Sequence, residues 1–151
     1  MANLWTITAA DDTSSAGCER VKEWLRDHNW SANPEFMTRI HEPEHEARPL
    51  VLLANEESGT VGGLFAQTQL SWLRISIMAV DPNGRGQGIG AALLVEAERE
   101  AIRRGCKYAH VDTMEYQAPG FYEAHGYKIE ATFPDWDSHG HAKIHFIKHL
   151  V

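Results

Sequence analysis

Val80-Asp81-Pro82-Asn83-Gly84-Arg85-Gly86-Gln87-Gly88-Ile89-Gly90-Ala91 joins an apolar run to a long amphipathic one. Upstream, Leu73 to Val80 reads as a strand, and Asp81-Pro82-Asn83-Gly84 ends it because proline donates nothing to a ladder. Downstream, Ile89, Leu93, Leu94, Ala97, Ala101 and Ile102 recur at helical spacing, which predicts a helix over 88–104 with Gly105 as its left-handed cap. Glu96, Arg99, Glu100, Arg103 and Arg104 fall mostly outside that stripe. A glycine-rich turn at a helix N-terminus gathers backbone N–H groups that point outward together, and the helix dipole adds partial positive charge. The missing Cβ atoms at Gly86, Gly88 and Gly90 let an anion come close to the backbone, and Arg85 adds a fixed charge. The chemistry predicted for this turn is a pyrophosphate cradle.

Two other anion-binding motifs compete for the segment. A P-loop needs Gly-Lys followed by Ser or Thr, and the sequence contains none. A dinucleotide fingerprint fits better: Gly86, Gly88 and Ala91 satisfy G-x-G-x-x-A, and Asp112 ends the next strand. That fold wants two βαβ halves, whereas this chain offers about one, and the strand before the turn is not the first. A nicotinamide-dependent oxidoreductase therefore stays as an alternative.

Working outward, Trp5-Thr6-Ile7-Thr8 alternates weakly and is taken as a first strand. Asp11, Asp12, Thr13 and Ser14 offer N-cap oxygens for a helix over 14–29 carrying Cys18, Val21, Leu25 and His28. Asn33-Pro34-Glu35 starts a second helix with Phe36 and Ile40 as its buried face. Strands are predicted at Leu50–Ala54 and Val61–Gln69 around a hairpin turn, and again at Tyr108–Asp112. A short helix runs from Pro119 to His125 and is stopped by Gly126; Tyr127–Phe133 and Lys143–Leu150 close the chain as strands. The order implies a mixed α/β sheet.

The 151 residues suit one domain, and 43% hydrophobic with 23% charged residues gives a core and argues against disorder. No window approaches the roughly 18–20 apolar residues of a membrane span. The start, Met1 to Thr6, has no basic flank and no long apolar run, so no secretory signal is expected. Two cysteines, Cys18 and Cys106, make no disulfide framework, which fits a reducing cytoplasm. The formal charge of -7 argues against nucleic acid as partner and weakly favours a cationic small molecule.

The turn resembles the GNAT superfamily of N-acetyltransferases, whose pattern is Arg or Gln, two residues, Gly, one residue, then Gly or Ala: here Arg85-Gly86-Gln87-Gly88-Ile89-Gly90. A second signature of that superfamily is Ala, three residues, Tyr, three residues, Gly-Phe or Gly-Tyr, matched by Ala118, Tyr122 and Gly126-Tyr127. The resemblance implies a GNAT-like acyl-CoA N-acyltransferase fold over 1–151: a central, mostly antiparallel sheet of six to seven strands flanked by about four helices. It implies acetyl-CoA, with its pyrophosphate on Arg85, Gly86, Gln87, Gly88, Ile89, Gly90 and Ala91. It places the pantetheine arm along Met78, Ala79 and Val80, where relatives carry a bulge. Many relatives have Asn three residues before the motif Ala; this chain has Glu115 there, and Gln117 is the proposed substitute.

The implied activity is transfer of the acetyl group to an amine of a small molecule or peptide by direct attack, with an N–H near Met78 stabilising the carbonyl oxygen and Tyr122 protonating the departing thiolate. A catalytically weak acetyl-CoA-binding regulator is the main alternative. Asp112, Glu115, His139 and His141 are all candidates for the base. No nucleic acid, membrane or metal is expected in the site, and a homodimer is one assembly common among relatives. His41-Glu42-Pro43-Glu44-His45 matches H-E-x-x-H, but Pro43 disfavours the continuous helix that zinc chemistry needs. His139, His141, His145 and His149 are read as a solvent-facing surface around buried Ile144 and Phe146, and Trp24, Trp30 and Phe36 as mostly core.

Overall fold

A computed structural model describes residues 5–151, in two compact units, Met1–His45 and Glu46–Val151. The first four residues of the segment read as lacking a leader lie outside the described part. No helix among the described residues is long and apolar enough to cross a membrane.

The first unit holds α1 (Ala16–Ala32) and α2 (Pro34–Ile40). The cap of α1 is Ser15, whose Oγ accepts from the Cys18 amide at 3.3 Å. Asn33 serves both helices: its N–H donates to the Asn29 carbonyl at 2.9 Å and its Oδ1 accepts from the Phe36 amide at 3.2 Å. Pro34 sits at the first helical turn, where a missing N–H costs nothing. Three expectations fail here. Trp5–Thr8 form no strand: no strand of the sheet pairs with them, and weak alternation alone supplies no ladder. Phe36 is 44% exposed, and Met37, about 100° round the helix, is the buried residue of α2. Trp24 and Trp30 are exposed rather than core, because α1 buries none of its residues; Trp30 instead stacks on the His41 ring, with centroids 5.8 Å apart.

The second unit is a sheet of six strands: β1 (Arg48–Glu56), β2 (Gly59–Gln69), β3 (Trp72–Val80), β4 (Tyr108–Met114), β5 (Lys128–Phe133) and β6 (Lys143–His149). Their spatial order is β1-β2-β3-β4-β6-β5, and only β3 and β4 run parallel. A single parallel pair falls well short of the two βαβαβ halves that the dinucleotide reading requires. The crossover between them is α3 (Ile89–Arg103), and α4 (Pro119–Ala124) follows β4. With β6 inside the sheet, Phe146 is fully buried, and His145 is half-buried rather than solvent-facing.

Leu93, Leu94, Ala97 and Ala101 of α3 pack on β1, β2 and β3. Ile102 is 42% exposed, since it lies one step round from the centre of that stripe. Gly62 on β2 lets the helix start come close: a Cβ there would stand 3.0 Å from Ile89 Cγ2 and 3.3 Å from the Ala79 carbonyl. At the other end Glu100 accepts from Arg103 and Arg104, each at 2.7 Å. Arg104 also reaches the Pro49 carbonyl at 3.1 Å and Thr68 Oγ1 at 3.2 Å, tying the end of the helix to β1 and β2.

Those guanidinium bonds, from Arg103 first and Arg104 second, hold the Glu100 carboxyl down at about 2, against an ordinary 4.5. A depressed carboxylate stabilises the fold above its unfolded pKa and loses that contribution as pH falls through its folded one. Glu100→Gln should therefore lower the urea midpoint at pH 7, and the gap to the parent chain should close as pH falls from 4.5 towards about 2. Equal midpoints at neutral pH would show the bridge contributes nothing.

Candidate active site

Strands β3 and β4 pair only from Trp72↔Tyr108 to Ile75↔Val111. Beyond that point β3 continues to Val80 and β4 to Met114 with no ladder between them. The cause lies on the other side of β3. Phe65 of β2 pairs with Ile77, but Ala66 pairs with Ile75, so Ser76 is an extra residue on β3. Its Oγ donates to the Phe65 carbonyl at 3.0 Å, which pins the bulge in place. A bulge adds local twist and bends its strand, and here it turns β3 away from β4.

A cavity of about 840 Å³ fills the gap. One wall is the end of β3 from Ile75 to Val80; another is Val111, Asp112 and Thr113 of β4. A third side is the turn, Gly84, Arg85, Gly86 and Gly88, with Ile89, Gly90 and Ala91 of α3. Tyr116, Gln117, Ala118, Phe121 and Tyr122 complete it. All the residues expected at the cofactor line this cavity except Gln87, which stays in the exposed turn.

The turn has the geometry of an anion cradle. Pro82–Gly84 form one 3-10 turn, with the Asp81 carboxylate accepting from the Asn83 amide at 2.8 Å. Gly86 and Gly88 then take φ of 78° and 82°, the left-handed region that side chains disfavour. Gly88 is the N-cap of α3 and caps it with no side chain. The first-turn amides, Ile89, Gly90 and Ala91, are thus left for a ligand. A Cβ at Gly86 or Gly88 would meet no atom within 4 Å, so the space beside both is open to a phosphate. Gly90 does a different job, because a Cβ there would touch the Phe121 ring at 3.6 Å and Val80 at 3.7 Å. These residues fit the pyrophosphate of a coenzyme.

Tyr122 is 6% exposed, held on α4 against Phe121, Tyr127 and Phe146. Burial first, and the Asp112 carboxylate second, push its hydroxyl above the ordinary phenol range, so it enters any reaction at neutral pH protonated. Gln117 turns its Oε1 inward, accepting from Met114 N at 2.8 Å and Thr113 Oγ1 at 2.9 Å, which leaves its NH2 for a ligand. Of the four base candidates only Asp112 lines the cavity, and Lys143 Nζ stands 2.9 Å from its Oδ2. Glu115 is exposed and off the wall. His141 is bound through Nδ1 to Asp137 Oδ2 at 2.6 Å and lies edge-on to Tyr116, while His139 is exposed. The H-E-x-x-H segment is no continuous helix: α2 stops at Ile40, and Pro43–His45 form a separate 3-10 turn.

Sequence reading missed Ser76, Tyr116, Phe121 and Lys143. Phe121 was within reach, since it adjoins the motif tyrosine. The other three owe their places to register and loop geometry.

A family model described as an acetyltransferase (GNAT) domain matches residues 47–129. Blasticidin-S acetyltransferase of Streptomyces morookaense is 36% identical over 117 residues, covering 74% of this chain and 86% of that protein. Among solved structures, an acetyltransferase from Bacillus cereus superposes with a TM-score of 0.72 at 27% identity, over 94% of this chain and 97% of that one. An aminoglycoside 6'-N-acetyltransferase complexed with coenzyme A shares the fold, with a TM-score of 0.62 at 19% identity over 93% of this chain and 96% of that one. The strand that parts from its neighbour, the capless glycine turn and the buried tyrosine thus sit on a scaffold whose relatives are acetyltransferases, and the chain belongs to the GNAT acetyltransferase family.

Proposed function

We propose that this chain moves the acetyl group of acetyl-CoA onto a primary amine of a small polar molecule. One observation carries the reading: the parted ends of β3 and β4 and the capless glycine turn open onto a single cavity. Acetyl-CoA, when bound, supplies an acetyl group activated as a thioester, with a thiolate to leave. Arg85 and the amides of Gly86, Gly88, Ile89, Gly90 and Ala91 take the pyrophosphate. Met78, Ala79 and Val80 offer free backbone edge on the β4 side, which pairs with an extended amide-bearing arm as a strand would. Gln117 adds its NH2 to that arm. An N–H at Met78 stabilises charge on the carbonyl oxygen as the amine attacks. Tyr122 would donate its proton to the leaving sulfur, and the proton shed by the attacking amine would pass through solvent to restore the phenol.

The acceptor class follows from charge and from kinship. A net charge of -7 favours a cationic approach, and the relative with 36% identity is named for acetylating blasticidin-S. Both cysteines are free thiols, which supports a reducing, cytoplasmic setting. We assign one acetyltransferase domain to 1–151, a reading supported by the Bacillus cereus structure covering 94% of the chain.

Three measurements test this. In an acceptor panel with free-thiol detection (blasticidin S, aminoglycosides, polyamines, amino acids, short peptides), thiol release is expected with small cationic amines. Binding of acetyl-CoA without release from any acceptor would make the protein a regulator instead. Tyr122→Phe should cut kcat about 10²-fold or more while the Kd for acetyl-CoA holds; unchanged turnover removes Tyr122 from the reaction. Arg85→Ala should weaken acetyl-CoA binding by about 10- to 100-fold, the worth of one charge-assisted bond, and leave acceptor KM unmoved.

A further inference from the structure

Two imidazoles and a carboxylate meet where β4 and β6 pair. Strand alternation puts His110 and Asp112 on one face of β4, away from buried Ala109 and Val111. The register sets His145 of β6 opposite Asp112. His110 Nε2 lies 3.1 Å from His145 Nδ1, and one donor atom from each of the three residues lies within 4.8 Å of the others. Two nitrogens on a tetrahedral zinc, each at about 2.0–2.1 Å from it, stand about 3.3 Å apart. The imidazole pair is therefore already at ligand spacing, held by a ladder rather than by a loop.

Two further observations bear on this cluster. The buried Nε2 of His145 has no hydrogen-bond partner among the described residues, so the bond between its Nδ1 and His110 Nε2, which an ion would replace, is what bears on the tautomer of that ring. Against the cluster stands Lys143, 2.9 Å from Asp112 Oδ2, which occupies the carboxylate as a cation of its own. Its ammonium also lies 4.6 Å from the Trp136 ring, a second resting place.

We propose that His110, Asp112 and His145 form a site for a late first-row divalent cation of the zinc class. Two neutral imidazoles and one carboxylate are a borderline-soft donor set that suits such ions over magnesium or calcium. Three protein ligands leave a fourth position for water. Lys143 competes for the carboxylate, so the ion binds reversibly rather than as a structural staple. Asp112 also lines the cavity, so an ion held there borders the space where the acceptor is expected.

The test is titration of tag-free, full-length protein with Co2+, followed by displacement with Zn2+. One equivalent of Co2+ per chain, with the intense visible bands of tetrahedral ligation and loss of those bands on adding Zn2+, is the expected result. His110→Gln and His145→Gln should each weaken binding by at least about tenfold, and Lys143→Gln should tighten it several-fold. No stoichiometric Co2+ uptake by the parent chain would overturn the proposal, as would uptake that survives both histidine substitutions and so belongs to another cluster such as His139 and His141. Thermal melts of the variants establish that each is folded when titrated.

Discussion

The hydrogen bond from Ser76 to the Phe65 carbonyl, 3.0 Å long, marks where β3 carries one residue more than β2. A sheet has no slack for a surplus residue, so the strand must bend and twist. Up to Ile75 it keeps its parallel partner; beyond Ile75 it does not. The parting leaves main-chain groups of Met78 to Val80 facing space instead of β4. Backbone groups released from a ladder but left accessible are held by water, and a ligand with amides of its own can take the water's place. The bulge therefore creates both the opening and an unpaired edge along it.

The same strand delivers the chain to the glycine turn within a few residues. Pairing edge and anion cradle are thus fixed relative to one another by one continuous piece of backbone, from Ser76 to Ala91. Gly62 lets α3 begin close against β2 and β3, and Arg104 fastens its far end to β1 and β2. The helix cannot tilt at either end without breaking a packing contact or a hydrogen bond. Tyr122 is held to the same sheet through the Phe146 ring, with centroids 5.8 Å apart.

The glycine turn and the helix after it were legible in the sequence because their determinants are local. Proline stops a strand, glycine takes positive φ, and a 3.6-residue stripe makes a helix, whatever the rest of the chain does. For the same reason α3 was read to within one residue at each end. Ser76 was not legible, since a bulged serine looks like any other strand serine until its partners are known. Nor was the inward place of His145, which follows from β6 slotting between β4 and β5. Alternation says which residues share a face; it does not say what that face meets. Trp24, Trp30 and Phe36 make the converse point: large aromatic rings at helical spacing were taken for core, and all three are exposed. Trp5–Thr8 failed for want of a neighbour, as any strand assigned from alternation alone must.

The strand order also has a consequence for biosynthesis. The sixth strand leaves the ribosome after the other five, yet it belongs between two that have already emerged. Until it arrives, β4 and β5 each expose a naked ladder edge, the kind of surface on which nascent chains stick to one another. Phe146 arrives with it, so the hydrophobic interior under α4 closes in the same late event. Cotranslational assembly is thereby deferred: the helix-covered strands β1 to β3 have their partners early, while the half of the sheet that carries the histidine pair waits for β6.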